Sequence, residues 1–478
     1  MTGALLEAKG LSIAYAGGLP VVQNISFAIM PGECVALVGP SGSGKSTIAR
    51  AILGMLPSGS RAQGQLDMDG IDLLTCGEAG FRALRGRTIG YVAQDPYLAC
   101  DPLRTVQEHV SDAWYAHGLA VPPGRVVETL DSAGIVDAGR AAQQHPHQWS
   151  GGMLQRASIA AATAHHPPLL IADEPTSALD ADRADATLAM LKGRGSAILL
   201  ISHDLELVMR HADRVLLCDG GTVIGSGTPA ELAASDDPAI QRLIAASAVP
   251  TRRRCDGEGA PVLSIANLGR RFGRGVHERS ILDGVDLTVR SGEVIGVTGP
   301  SGCGKSTLLR IIAGQDGASS GDISRADQRP GAMMQVFQDP VASLDARWPI
   351  WRSITEPLTA PHMPRLNRAE RRARAQQALS RLGLAHLDLD SVPGELSSGQ
   401  CQRISVARAL IANPGLLLAD EPTSALDTLA KRQVLDMLVA AADAGTAVLL
   451  VSHDRSMLAA LCDRVLEFHD GKLRPSAG

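Results

Sequence analysis

GPSGSGKST, Gly39 to Thr47, follows a short apolar run, and the closely similar GPSGCGKST returns at Gly299 to Thr307. In the pattern GxxxxGK[ST] the glycines let successive backbone N–H groups wrap phosphate oxygens, and the helix that follows aims its positive end at them. The predicted phosphate-binding residues are therefore Gly39, Ser41, Gly42, Gly44, Lys45, Ser46 and Thr47, and again Gly299, Ser301, Gly302, Gly304, Lys305, Ser306 and Thr307. Lys45 and Lys305 are placed for the β and γ phosphates. The hydroxyls of Ser46 and Ser306 are placed for Mg²⁺, a hard ion that takes few protein oxygens and bridges phosphates. A single match can be a chance Gly-rich turn, but two, each after a strand and before helix formers, are not.

Working outward, ADEPTSALD at Ala172 to Asp180 returns identically at Ala419 to Asp427, and ISHD at Ile201 to Asp204 returns as VSHD at Val451 to Asp454. The motif order is the same in both halves, so a whole domain is duplicated rather than a short solenoid unit. The predicted domains are 1–246 and 262–478. Between them SAVPTRRRCDGEGAP, 247–261, is rich in Pro, Gly and charge and has no apolar period, which predicts a short flexible linker with Arg252 to Arg254 solvated. The stretch from Lys305 to Gln338 is markedly shorter than that from Lys45 to Gln94, which predicts a trimmed peripheral sheet in the second half.

Composition narrows the function classes. A hydrophobic share of 45% with 20% charged residues is an ordinary globular profile and argues against disorder. A net charge of -5 gives no basic field across the molecule, so nucleic acid is not an expected partner. The start, MTGALLEAKG, lacks the basic and apolar regions of a secretory signal, and the chain is expected on the cytoplasmic side. Apolar runs such as Ala197 to Ile201 and Ala447 to Val451 fall far short of the roughly 20 residues of a membrane helix, so membrane contact is expected through partners. The eight cysteines have no CxxC spacing, which suits reduced thiols rather than disulfides or a metal.

Short β-branched runs that end at motif loops, with helical patterns between them, predict an α/β layout. Cys34 to Val38 and Val294 to Val297 read as buried strands feeding the glycine loops. Leu169 to Ala172 and Leu416 to Ala419 read as buried strands ending in acids. Val215 to Cys218 and Thr222 to Ile224 read as a closing hairpin turned by an Asp-Gly pair, repeated by Val465 to Phe468 with Asp470-Gly471. Asp173 and Asp420 end apolar strands, where a lone carboxylate is costly unless it meets a cation, and are assigned to Mg²⁺; a helix N-cap is the alternative. Glu174 and Glu421 are placed to orient and polarise the attacking water, since phosphoryl transfer needs positioning and charge stabilisation. His203 and His453 end the next strand, where an imidazole can contact the γ phosphate.

SGGMLQR at Ser150 to Arg156 and LSSGQCQR at Leu396 to Arg403 resemble the signature motif of ABC ATPases, and the resemblance covers almost the whole chain. It implies two P-loop NTPase domains, each with a mainly parallel core sheet, a peripheral antiparallel β subdomain and a helical signature subdomain. It further implies that each signature caps the ATP held by the other domain. One site would join Lys45, Ser46, Gln94, Asp173, Glu174 and His203 to Ser397 and Gly399. The other would join Lys305, Ser306, Gln338, Asp420, Glu421 and His453 to Ser150, Gly151 and Gly152. Gln94 and Gln338 correspond to the Q-loop, which the family uses to link Mg²⁺ and water to membrane subunits. Tyr15 and Phe272 stand at the family's position for an aromatic stacked on adenine, with core packing the alternative reading. Ser398 departs from the usual LSGGQ by adding a Cβ where backbone should approach phosphate, and Trp149 and Met153 depart less seriously.

Within that family, HPHQWSGGMLQR (His145 to Arg156) resembles the D-type ATPase of dipeptide, oligopeptide and nickel importers, and VFQDPVASLDARWPI (Val336 to Ile350) the F-type. Ala346 stands where that subgroup has proline, and Cys100-Asp101-Pro102 replaces its Ser-Leu-Asn-Pro stretch. The resemblance implies ATP-driven import through two membrane permease subunits with an extracytoplasmic substrate-binding protein, the chain lying peripherally on the inner membrane. A single cysteine after the first core, Cys255, tilts the cargo toward nickel or a metallophore rather than peptides. The competing readings are an exporter ATPase and a tandem ABC protein acting on ribosomes or DNA; the short linker and the absence of CxxC disfavour the second.

Overall fold

Two kinds of strand are written into each half of the chain. Leu6–Ala14 alternates buried with more exposed residues, as a strand with one wet face does. Cys34–Val38, Leu169–Asp173 and Ala197–Ser202 are buried at every position, as strands covered on both faces are. The computed structural model describes residues 3–476 apart from 41, 98, 177–180, 253, 255–258, 273–278, 301 and 425. The predicted phosphate-loop residues Ser41 and Ser301, and Cys255, lie outside the described residues. The chain forms two units, Met1–Ser247 and Ala248–Gly478.

In the first unit the fully buried strands form the centre of a six-stranded sheet. Its order is Thr222–Gly227, Arg214–Asp219, Cys34–Val38, Ala197–Ser202, Leu169–Asp173, Ile89–Val92, parallel except for the outermost hairpin strand. A separate antiparallel sheet runs Pro20–Ile29, Leu6–Ala14, Arg61–Met68, Ile71–Asp72. Helix Lys45–Ile52 contributes Ile48 and Ile52 to the core between the two sheets. A helical group built on Val106–Tyr115, Arg125–Ser132 and Gly151–Ala162 has its own core around Trp114, Leu130 and Leu154.

The second unit repeats the six-stranded order with Lys472–Pro475, Arg464–His469, Val294–Thr298, Ala447–Val451, Leu416–Asp420 and Met333–Val336. Its antiparallel sheet has three strands, Arg279–Arg290, Pro261–Phe272 and Ser320–Arg325. Among the described residues it has no equivalent of Ile71–Asp72 or of helix Glu78–Leu84 of the first unit. This is the trimming expected from the shorter interval before Gln338.

Two local expectations are corrected. Asp219 pairs with Thr222 as the last strand residue, and Gly220 and Gly221 (φ 54° and 81°) make the turn; only in the second unit does the Asp-Gly pair itself, Asp470 and Gly471 (φ 46° and 76°), take that place. The segment between the domains is not a free, solvated tether throughout. The side chain of Arg252 is only 3% exposed and pairs with Asp463 at 2.8 Å, while Val249 packs against the second unit's core and the carbonyl of Ala248 accepts from Arg432. Burial of an aliphatic residue and pairing of a guanidinium hold this stretch to the second unit, features that composition alone does not reveal.

Candidate active site

Four neighbouring parallel strands of the first unit end in the four predicted motifs, and this is how residues far apart in sequence are gathered. Cys34–Val38 runs into the glycine loop, Ala197–Ser202 into His203, Leu169–Asp173 into Glu174, and Ile89–Val92 into the Gln94 loop. Ligands of open α/β sheets bind at such carboxyl ends. The glycine loop is shaped by close packing. A Cβ on Gly44 (φ 90°) would lie 2.9 Å from the carbonyl oxygen of Val21, and one on Gly39 would overlap the carbonyl of Cys218. Gly42 (φ 82°) has nothing within 4 Å, so there the glycine serves conformation and open access. Lys45, 7% exposed, donates to the carbonyls of Gly39 and Pro40 at 2.8 and 2.7 Å, and Lys305 donates to those of Gly299 and Pro300 at 2.7 and 2.8 Å. Thr47 and Thr307 lie on the helices that follow.

Asp173 and Asp420 are buried, and Ser46 Oγ donates to Asp173 Oδ1 at 3.4 Å. Burial and the neighbouring Glu174 push the Asp173 carboxyl above the usual range; burial does the same for Asp420, against a hydrogen bond from Ser306. Each site thus offers one hydroxyl and one carboxylate that is costly to leave uncompensated. Among the described residues no cluster of three or more His, Cys, Asp or Glu could hold a metal. A sparse all-oxygen pair of this kind fits Mg²⁺, which leaves most of its positions to phosphate and water.

Both glutamates adopt left-handed backbone, Glu174 at φ 48° and Glu421 at φ 51°, a conformation costly for non-glycine residues and concentrated at functional sites. The amide N–H of each donates across to the adjacent strand, Glu174 to Ile201 and Glu421 to Val451, which holds the turn. Their carboxylates meet the histidines: His203 Nδ1 lies 3.2 Å from Glu174 and His453 Nδ1 2.8 Å from Glu421. Burial alone would raise Glu174, but His203, Lys45 and Gln94 together hold its carboxyl below the usual range. Burial opposes the protonated form of His203, yet Glu174 holds its pKa above normal; for His453 the hydrogen bond to Glu421 is the main cause of the same rise. Gln94 Nε2 donates to Glu174 at 2.8 Å, whereas Gln338 sits exposed beyond its strand. The left-handed turn and the Glu–His pairs were not read from sequence, although an acid after an apolar strand and a histidine after the next were the signal available.

The signature serines are helix N-caps. Ser150 Oγ accepts from Met153 N–H at the start of Gly151–Ala162, and Ser397 Oγ accepts from Gln400 N–H at the start of Ser398–Leu410. Gly151, Gly152 and Gly399 therefore present first-turn N–H groups, a ready anion site. Ser398 is the first residue of its helix and needs no glycine conformation. A Cβ on its counterpart Gly151 would meet nothing closer than Tyr97 at 3.7 Å, and Ser398 is itself exposed, so a side chain at this position is not crowded within its own unit. Tyr15 lies just past its strand, with its hydroxyl 2.8 Å from Thr47 Oγ1. Phe272 is 43% exposed beneath the guanidinium of Arg270, which removes the core-packing alternative for that residue.

Phosphate loop, strand-end acid, glutamate and histidine on one parallel sheet define a P-loop nucleotide hydrolase, present twice. The sequence model of the ABC transporter family matches residues 22–177 and 282–424, and the chain belongs to that family as a tandem ABC transporter ATPase. It is 36% identical to the peptidoglycan transport ATP-binding protein YejF of Agrobacterium fabrum, over 99% of this chain and 92% of the relative. It is 32% identical to the oligopeptide transport ATP-binding protein OppD of Mycobacterium tuberculosis, over 96% and 93%, and 32% identical to the glutathione import ATP-binding protein GsiA of Escherichia coli K12, over 98% and 86%. The solved structure of RNase-L Inhibitor shares the fold at a TM-score of 0.67 over 98% of this chain and 90% of that one, at 20% identity.

Proposed function

We propose that this chain drives import of peptides or peptide-like molecules through two separate membrane permease subunits, with an extracytoplasmic binding protein delivering the cargo. Support for the cargo class comes from the relatives, named for peptidoglycan, oligopeptide and glutathione. Nickel, inferred from one cysteine, has no such support. The permeases would supply the membrane path; no described helix of this chain is long and apolar enough to cross a membrane. The chain would then sit peripherally on the cytoplasmic face.

The observation that carries the mechanism is the repeated left-handed glutamate paired with histidine, intact in both units. Lys45 and Lys305 bind the β and γ phosphates of ATP. Ser46 with Asp173 and Gln94, and Ser306 with Asp420 and Gln338, would hold Mg²⁺, which when bound would supply positive charge against the phosphates. Glu174 and Glu421 orient the attacking water and accept its proton, and His203 and His453 hold these carboxylates and contact the γ phosphate. Tyr15 and Phe272 stack on adenine. Ser150, Gly151 and Gly152 cap the ATP of the second unit, and Ser397 and Gly399 that of the first, so ATP binding closes the pair and hydrolysis reopens it.

The test is reconstitution in liposomes with the cognate permeases and binding protein. Short peptides should raise ATP hydrolysis and accumulate on the side bearing the ATPase, and Glu174→Gln with Glu421→Gln should abolish both. Stimulation by nickel alone, movement in the opposite direction, or co-purification with ribosomes or DNA in place of permeases would each overturn the reading.

A further inference from the structure

We infer that Arg408 and Gln402 are positioning residues that lock the second unit's signature helix to that unit's own nucleotide loops, a linkage not found among the described residues of the first unit. Gln402, Ser405 and Arg408 stand three residues apart and so share one face of helix Ser398–Leu410. Gln402 is fully buried and its Nε2 donates at 3.0 Å to the carbonyl of Pro422, the residue after Glu421. Ser405 is also fully buried, with Oγ 3.2 Å from Ser343 Oγ, and Arg408 Nη1 donates at 2.7 Å to the Ser343 carbonyl. Ser343 lies in the loop that begins at Gln338 and is itself braced by a bond to Pro340. One rigid helix, capped by Ser397 at its N-terminus, is therefore tied to both the catalytic-glutamate loop and the Q-loop.

Two of the equivalent positions of the first unit lack the groups for these bonds. Ala161 replaces Arg408 and Ala99 replaces Ser343. Gln155 matches Gln402, yet its buried Nε2 has no hydrogen-bond partner among the described residues. Among the described residues the hydrogen bond found between the two regions there is from Tyr97 Oη to the Trp149 carbonyl, 3.3 Å. Arg408 and the cap Ser397 belong to one continuous hydrogen-bonded helix, so a shift of the Ser343 loop is carried to the Ser397 end. Nucleotide state in the second unit is thereby passed to the cap that serves the Lys45 site. This rests on the shared-site reading proposed above.

The test uses the full chain carrying Glu421→Gln, so that turnover reports the Glu174 site alone. Arg408→Met should lower kcat about tenfold with KM for ATP changed less than about twofold, the split expected of lost orientation rather than lost binding. Arg408→Lys, which keeps one charged donor, should recover to within about threefold of the parent. An unchanged kcat in Arg408→Met, or a loss of kcat and nucleotide binding together that Arg408→Lys does not relieve, overturns the inference. Gly399→Asp in the same background separates the two claims. If it leaves turnover intact, the shared-site reading fails; if it abolishes turnover while Arg408→Met does not, the positioning role alone fails.

Discussion

Replacing Arg252 by methionine should unfold the second unit far more readily than a matched change in the first. The carboxylate of Asp463 accepts the Val294 N–H at 2.7 Å at the start of the phosphate-loop strand, and Asp213 does the same for Cys34 at 2.8 Å. What differs is the cation. Lys192 meets Asp213 at 3.2 Å with the side chains 37% and 50% exposed, while Arg252 meets Asp463 at 2.8 Å with 3% and 6% exposed, and it also reaches Asp443 and the Gly292 carbonyl. Removing one partner of a buried pair strands the other, at about 3 kcal/mol or more, whereas an exposed pair contributes about 0.5 kcal/mol. Native-state hydrogen exchange read on Val294–Thr298 should therefore accelerate roughly 100-fold in Arg252→Met, and that on Cys34–Val38 about twofold in Lys192→Met. Adding Asp463→Asn to Arg252→Met should restore part of the protection, because no charge is then stranded. Equal effects in the two units, or no recovery with the amide, would refute the view that the segment before the second domain is built into its fold.

Three further outcomes are expected. Lys431 pairs with Asp454 at 2.7 Å, and although burial pushes the Asp454 carboxyl up, Lys431, the Met457 N–H and Ser456 together hold it below the usual range. Its contribution is present above the unfolded value near about pH 4 and is lost as pH falls through the folded value. Lys431→Met should accordingly destabilise by about 1 kcal/mol at neutral pH and by less in acid, and a denaturant titration giving a pH-independent loss would contradict this. Gly44→Ala, at φ 90° and 2.9 Å from backbone, should cost more stability than Gly42→Ala, which is open at φ 82° and should cost about 1–2 kcal/mol while still losing ATP affinity; nucleotide titration and thermal unfolding separate the two. Finally, Glu421→Gln, leaving only the site capped through Ser398, should retain less ATPase activity than Glu174→Gln, and Ser398→Gly should close the gap; matched activities would show that serine is tolerated there.

The fold was legible where chemistry is local to a few consecutive residues. A glycine loop after five buried residues, an acid pair after another such run, and a serine opening a helix each announce themselves, because the backbone conformation and its ligand are encoded in one short segment. What was not legible depends on partners far along the chain. The left-handed turn at Glu174 follows from an N–H bond to Ile201, and its lowered pKa from His203 and Gln94, all set by the order in which parallel strands assemble. Arg252 looked like part of a solvated basic triplet because nothing near it in sequence shows that Asp463 will be buried beside it. The same long-range pairing makes the two halves physically unequal even where their motifs are identical. Ala161 and Ala99 stand in the first unit where Arg408 and Ser343 bond the second unit's signature helix to its Gln338 loop. Matching motifs therefore do not make matching units: the hydrogen bonds behind the motifs differ among the described residues, and the coupling inferred above follows from that difference.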